Sequence, residues 1–461
     1  MPASTKKSLR VAVLADSDTR WKWGALTANR IAPADSDIRL DGYLLRGRAT
    51  PTARQLEEVG VRADTLREVT AGEFLREMSG ARSAYDVVVL SLVGGGVQAM
   101  LHGLSHQWRE RSATGGAKRP VVVTGYVGVV YEKLADGLLL RHGADLVLAN
   151  SRQDADRFTA VYEGVGADAS SVTEVALPFL GGDPYEKRDP SAKQGRGPYT
   201  VVFAAQPSVP ESRKDRTYLL NRLVQHARLH PDREVLLKLR SKPGEHTTHI
   251  EEQPYQRLAE RIPGGPPANF RLVYGHMGEV LDRTDLLVTI SSTAALESLH
   301  RRIPTVVLTD LGVRESLGNH HFVGSGCLAS WDQLDAGHGP SPDEEWVARQ
   351  GVAAGGTSRT ESGQGSYETA FDAARERIAG LLGRDELPGL APYYTPATAP
   401  GYLPGILARH HLAPDGSPLP GAPDADREPG AVRQIVRRAA RGAYRHGVQR
   451  VAPVIRRMGE L

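Results

Sequence analysis

The chain has 461 residues, 40% of them hydrophobic and 24% charged, with a formal net charge of +3. That length exceeds one ordinary core and implies two domains, and so small a net charge excludes a protein that holds nucleic acid by bulk electrostatics. A single cysteine, Cys327, excludes an internal disulfide and any centre built from several thiolates, and it fits a reducing, cytoplasmic compartment.

Lys6, Lys7 and Arg10 precede an apolar run at 11–15, which is too short for a leader core or a membrane span and reads as the start of a strand. Short Val- and Leu-rich runs follow at 9–15, 38–45, 86–92, 120–124, 145–150 and 172–177, with amphipathic stretches between them. Strands covered on both faces by crossover helices have this pattern, so a parallel sheet is expected over residues 1–185. A polar stretch at 181–197 reads as an exposed linker. The rhythm then restarts at 199–205, 234–239, 270–274, 286–290 and 305–309, giving a second Rossmann-like domain over 198–385. Beyond Gly312 the pattern decays, and a helix at 368–382 is expected to close that domain. Residues 386–429 are rich in Pro and Gly and read as a linker. Residues 430–461 read as a basic amphipathic helix, with eight arginines and no acid between Pro429 and Met458.

The loops that follow the strands hold the candidate residues. The first strand ends in Asp16-Ser-Asp18, followed by Trp21 and Trp23. A carboxylate at a sheet's carboxyl edge can act as a general base, so Asp16 and Asp18 are candidates, with capping of the next helix as the alternative. Trp21 and Trp23 either stack on a sugar face or pack beneath that helix. Gly94, Gly95 and Gly96 would let a ligand approach the backbone before a helix starting at Val97, although the spacing is not a dinucleotide fingerprint. Tyr126, in Thr124-Gly-Tyr-Val-Gly128, is placed to shape the same pocket.

The segment Thr289-Ile-Ser-Ser-Thr-Ala-Ala-Leu-Glu-Ser-Leu-His-Arg-Arg-Ile-Pro304 is the most informative. It runs from a strand through Ser291, Ser292 and Thr293 into a helix carrying Glu297. A helix start with unpaired amides and flanking hydroxyls suits an anion such as phosphate, and Glu297 is placed to accept from ribose hydroxyls; simple helix capping is the alternative. The earlier strand at 235–239 supplies Lys238 and leads into Arg240, Lys242 and His246, whose charges would neutralise a pyrophosphate. His246 and His249 are otherwise loop residues. No third ligand stands at zinc spacing, so no metal and no cofactor are expected.

Ser-Ser-Thr-Ala-x-x-Glu followed by a basic helix, Ile-Pro and a Val-rich strand resembles the donor-site segment of bacterial capsule polysaccharide transferases and polysialyltransferase-like enzymes. The resemblance spans chiefly residues 199–310. It implies an α/β protein of the GT-B fold, with two Rossmann-like doubly wound parallel-sheet domains facing a cleft, and it implies that Ser291 and Ser292 bind the donor phosphate. The chain departs from those families in having no His-Pro after Lys238; its His230-Pro231 precedes the strand. The implied activity is an inverting, metal-independent transfer of sugar from a nucleotide-activated donor, such as a CMP-nonulosonic acid or a UDP- or GDP-sugar, to a polysaccharide or lipid-linked acceptor. Asp16 or Asp18 would then be the base, and Trp21, Trp23, Gly94, Gly95, Gly96 and Tyr126 would line the acceptor side. A nucleotide-sugar 2-epimerase, a CDP-polyol phosphotransferase and a non-catalytic scaffold stay open as alternatives. The arginine-rich tail would hold the protein peripherally on an anionic inner membrane face, or dock on acidic protein surface.

Overall fold

The computed structural model describes residues 8–33, 36–47, 49–80, 85–113, 118–129, 134–187, 197–242, 245, 251–352 and 367–419. The expected basic helix at 430–461 lies outside them. The described residues form two compact units, one from 8–179 with 367–419 and the other from 180–352.

The first unit alternates strand and helix: β1 (Ser8–Ala15), α1 (Asp18–Arg30), β2 (Asp37–Leu45), α2 (Ala53–Val59), β3 (Thr65–Val69), α3 (Ala71–Ser79), β4 (Val87–Ser91), α4 (Gly94–Ala113), β5 (Val121–Gly125), α5 (Leu134–Leu139), β6 (Leu146–Ala149), α6 (Arg152–Gly164) and β7 (Val172–Glu174). Its sheet has the order β3-β2-β1-β4-β5-β6-β7. Every pairing is parallel, with Val11 opposite Leu40 on one side and Val87 on the other. β4, β5 and β6 are buried along their whole length, which is why they stand out as unbroken apolar runs. β3 escapes that signal because it is an edge strand, Thr-Leu-Arg-Glu-Val, exposed at all but its last residue. Helix starts are fixed by side chains, with Thr52 and Gln55 and again Thr70 and Glu73 closing reciprocal caps.

The second unit repeats the plan with β8 (Tyr199–Ala204), α7 (Arg213–Leu229), β9 (Arg233–Lys238), α8 (Tyr255–Ala259), β10 (Phe270–Val273), α9 (Met277–Leu281), β11 (Leu286–Thr289), α10 (Ala294–His300), β12 (Thr305–Leu308), β13 (Leu328–Ala329), α11 (Trp331–Asp335) and α12 (Glu344–Arg349). The order is β10-β9-β8-β11-β12-β13, again all parallel. Both domains are thus doubly wound parallel sheets. The unit begins earlier than the polar composition suggests, because Arg301 donates from Nε to Gly181 O (2.7 Å) and accepts from Tyr185 N (2.6 Å) at its own carbonyl.

The carboxyl-terminal part departs from expectation. The helix at 368–382 does not close the second domain: α13 (Asp372–Leu382) buries Phe371, Ala374 and Ile378 in the first unit's core, with Arg377 donating to Val172 O and Thr173 Oγ1. Nor is the described part of 386–429 an extended linker. It packs on the first unit through α14 (Leu403–Arg409), whose Leu403, Ile406 and Leu407 join the other core cluster. Arg119, paired with both oxygens of Asp145 at 2.7 and 2.8 Å, also holds the carbonyl of Pro388. The prolines and glycines masked a helical spacing at 403, 406 and 407.

Phe371→Ala is expected to cost the first unit about 3 to 5 kcal/mol, as loss of a large buried side chain does. Urea unfolding measures this, and an unchanged midpoint would mean that α13 is not part of that core.

Candidate functional site

In each sheet the strand order reverses beside the first strand, between β1 and β4 and between β8 and β11. Successive helices then leave for opposite faces and the loops at the carboxyl ends diverge, which is where doubly wound sheets bind ligands. In the second unit this point lies between Gln206, after β8, and Ser291, after β11. Gln206 accepts from Ser291 N at 3.1 Å and lies 3.2 Å from its hydroxyl through both amide atoms. The hydroxyl itself donates to Leu317 O at 2.5 Å and is buried. Ser291 is therefore a clamp between loops, with its proton already spent, and does not meet the expectation of a phosphate donor.

Ser292 and Thr293 differ. Ser292 is half-buried; its Oγ accepts from Ala294 N at 3.3 Å, and its hydroxyl proton has no acceptor among the described residues. Thr293, at the start of α10, makes no side-chain capping bond. The backbone amides are less available than a free helix start implies. Ser292 N donates to Thr289 Oγ1 at 3.2 Å, and the amides of Ala295 and Leu296 donate to the carbonyls of Ser292 and Thr293, both at 2.9 Å. Two neighbouring hydroxyls, more than a helix dipole, are what this edge offers an anion. Glu297 lies half-buried in the first turn of α10.

The cations come from the loop after β9. Lys238 is buried and its ammonium donates to Leu239 O at 2.8 Å. Arg240 is half-buried, and Lys242 stands 5.7 Å from the centre of the Tyr274 ring. His246 and His249 lie outside the described residues. Sequence reasoning missed Arg216, which is buried on α7. Its guanidinium donates to the carbonyls of Gln206, Pro207 and Pro210, stacks 4.2 Å from the Tyr255 ring centre and pairs with Glu251, fixing the loop after β8. Burial raises the Glu251 carboxyl while Arg216 opposes that shift. Only the fold reveals Arg216, since nothing in its neighbourhood marks it as special.

In the first unit, Asp16 bridges the reversal: Arg20 Nη1 donates to one oxygen at 2.9 Å and Val93 N to the other at 3.0 Å. Asp18 is buried in the first turn of α1, with Thr19 Oγ1 at 3.3 Å. Trp21 and Trp23 are fully buried, Trp23 donating to Asn150 Oδ1 at 3.3 Å, so they are core residues and have no face for a sugar. Gly94, Gly95 and Gly96 form the first turn of α4, not a loop before it. A Cβ at Gly94 would come within 2.8 Å of Leu140, and one at Gly96 within 3.2 Å of Leu92, so these two serve packing. Tyr126 carries the buried Arg141 guanidinium 4.0 Å from its ring centre. Arg141 donates to the carbonyls of Leu92, Gly125 and Gly137, drawing the loops after β4 and β5 together.

A family model described as "Putative glycosyltransferase (DUF6716)" matches residues 11–362. The chain belongs to this family. A search of curated proteins finds no match. Among solved structures, the chain is similar to a UDP-GlcNAc 2-epimerase from Methanocaldococcus jannaschii in complex with UDP-GlcNAc and UDP (10% identity, 81% of this chain and 99% of that chain, TM-score 0.46). It is also similar to a UDP-GlcNAc 2-epimerase from Neisseria meningitidis bound to UDP-GlcNAc (10%, 81% and 100%, 0.44). A UDP-glucosyltransferase from Polygonum tinctorium is a third neighbour (12%, 83% and 96%, 0.44). Likenesses this distant assign neither substrate nor reaction to this member of the family.

Among the described residues, one group brings three possible metal ligands together: His226 and His230 at the end of α7 and Asp335 on α11. His226 Nδ1 lies 2.6 Å from Asp335, while Arg233 contacts its Nε2 at 3.3 Å and Arg222 contacts Asp335 at 3.1 Å. Burial holds the His226 imidazole below its ordinary pKa, with Asp335 opposing. Two guanidiniums already bonded to the cluster disfavour a divalent cation there.

Asp154, in the first turn of α6, is buried. Among the described residues its Oδ1 has no hydrogen-bond partner, and Arg157 stands 3.7 Å away. Burial pushes its carboxyl up to about 6, with Arg157 opposing. A carboxyl whose folded pKa exceeds its unfolded value contributes fully below about pH 4, and that contribution is lost as pH rises through about 6. Asp154→Asn should remove this slope and raise stability at pH 7.5 by up to about 3 kcal/mol. Urea unfolding at pH 4.5 and 7.5 checks it; an equal loss at both pH values would show that the carboxyl is required as such.

Proposed function

We propose that the protein transfers a sugar from a nucleotide-activated donor to an acceptor hydroxyl, with the donor held on the second unit around Ser292 and Thr293. The observation that carries this reading is the pair of adjacent hydroxyls whose protons have no acceptor among the described residues, standing where a doubly wound sheet reverses, in a chain of a glycosyltransferase family. Arg240 and Lys242, on the neighbouring loop, supply positive charge to the donor's leaving phosphate in place of a metal ion. The resemblance of the Ser-Ser-Thr-Ala segment favours a CMP-linked nonulosonic acid as donor and a surface polysaccharide or glycolipid precursor as acceptor, within the GT-B plan. The arginine-rich residues 430–458 suit a cytoplasmic protein that works at an anionic membrane face, where each basic residue contributes about 1 kcal/mol. No helix among the described residues is long and apolar enough to cross a membrane.

Inverting transfer needs a base for the acceptor proton, and the first unit supplies the carboxylates. Of the two acids, Asp16 has both oxygens engaged by Arg20 and Val93, which suits a fastening role, and this reading gives the base to Asp18, which is buried and accepts from Thr19 Oγ1 at 3.3 Å.

Calorimetric titration against CMP-, UDP-, GDP- and CDP-linked compounds tests the donor site. One class should bind, and Ser292→Ala should weaken it about tenfold or more. No binding across the panel would sink the donor reading. With the bound donor as substrate, Asp18→Asn should lower turnover by about a hundredfold or more at unchanged donor affinity. Full turnover would remove Asp18 from the mechanism.

A further inference from the structure

We propose that the loop at 312–316 recognises the anionic part of the donor, with Arg314 as its direct contact and Asn319 as the residue that positions it. The inference rests on the donor reading above and deepens it.

The loop follows β12, so it lies at the same carboxyl edge as Ser292. Residues 312–316 are all exposed, yet they are fastened from three sides by groups that are mostly buried. Before the loop, Asp310 accepts from Tyr218 Oη at 2.8 Å and from Trp331 N at 3.1 Å. After it, Asn319 is fully buried and its amide is bonded to the end of β12 and to the loop. Its Nδ2 donates to Leu308 O (3.1 Å) and Gly312 O (2.8 Å), and its Oδ1 accepts from Arg314 N (3.0 Å). From the side, Ser291 Oγ donates to Leu317 O. Gly312 and Gly318 supply the left-handed turns at either end, with φ of 83° and 72°.

A fully buried amide with all its hydrogen bonds satisfied rigidifies the backbone it holds, because solvent cannot replace those bonds. What the fastening does achieve is a fixed Arg314 backbone, bonded through its own amide and tied by way of Leu317 to the clamp that sets Ser292. Among the described residues the exposed Arg314 guanidinium has no ion pair. Glu315 follows it directly, so the loop tip carries no net charge and attracts anions poorly at long range. Its recognition therefore works by contact, and a planar guanidinium suits a phosphate or carboxylate through two parallel hydrogen bonds. An ammonium does not reproduce that geometry.

The test titrates the full chain with CMP, UDP, GDP and CDP, and with the uncharged nucleosides cytidine, uridine and guanosine. For the nucleotide that wild type binds, Arg314→Ala should weaken affinity at least tenfold while leaving the matching nucleoside unchanged. Arg314→Lys should recover only part of the loss. Asn319→Ala should weaken the same nucleotide but cost nothing further when added to Arg314→Ala, a coupling that general destabilisation would not produce. If Asn319→Ala fails to fold, the Arg314 comparisons decide the matter alone. Wild-type affinity retained by Arg314→Ala, or equal losses for nucleotide and nucleoside, would overturn the loop's role while leaving the donor reading standing. Binding by neither wild type nor variants would overturn both.

Discussion

The structure depends on how each parallel sheet manages the point where its strand order reverses. There the two central strands pair fully, with Ala204 beside Thr289 and Ala15 beside Ser91, but their following helices go to opposite faces and the loops must part. A parting loop leaves backbone amides without ladder partners, and a buried amide left unpaired costs about 1 to 3 kcal/mol. Each unit resolves this with one side chain that crosses the gap. Gln206 takes the Ser291 amide in the second unit, and Asp16 takes the Val93 amide in the first.

These two solutions determine which neighbouring groups remain usable. With Ser291 locked between Gln206 and Leu317, the next two residues keep hydroxyl protons that have no acceptor among the described residues, Ser292 Oγ itself accepting from Ala294 N. In the first unit the equivalent bond consumes a carboxylate, and Arg20 consumes its other oxygen. The same positions in the two sheets thus have opposite chemistry: one edge presents donors suited to an anion, the other has drawn its most obvious acid into the scaffold. Arg216 and Arg141 act alike on the two edges, each giving a buried guanidinium to three backbone carbonyls, those of Arg216 in the loop after β8 and those of Arg141 just after β4, at the end of β5 and in α5. Carbonyls at strand ends carry partial negative charge, so a cation there stiffens the loops without needing a carboxylate partner at every bond.

Much of the architecture was legible because buried parallel strands must be apolar on both faces. The runs at 86–92 and 120–124 match β4 and β5 to within a residue or two, and the same holds for the central strands of the second sheet. What stayed hidden follows from the same physics. β3 is an exposed edge and β13 is two residues long, so neither has an apolar run to display. The Ser291-Ser292-Thr293 segment could be recognised from its hydroxyls, but the division of labour among them could not, since it depends on Gln206 and Leu317, remote in sequence. Trp21 and Trp23 misled because a tryptophan beside a loop serves core or ligand equally well until its burial is known. Asn319 carries no signal at all, as its three bonds reach back to Leu308, Gly312 and Arg314 across a stretch that sequence reads only as decaying pattern.

The return of the chain to the first unit gives this fold an order of assembly. Phe371, Ile378, Leu403, Ile406 and Leu407 are all buried in first-unit cores, and each fully buried apolar side chain of that size contributes roughly 1.5 to 3 kcal/mol. Together they are comparable with the whole stability of an ordinary domain, about 5 to 15 kcal/mol. The first unit therefore cannot complete its core from residues 1–179 alone, and must wait for segments that leave the ribosome after the entire second unit. The second unit has no such debt among its described residues, because its sheet and helices are contiguous from Leu180 onward. Its core thus draws on no segment beyond its own stretch of chain, whereas the first unit's core is complete only with residues on the far side of that stretch.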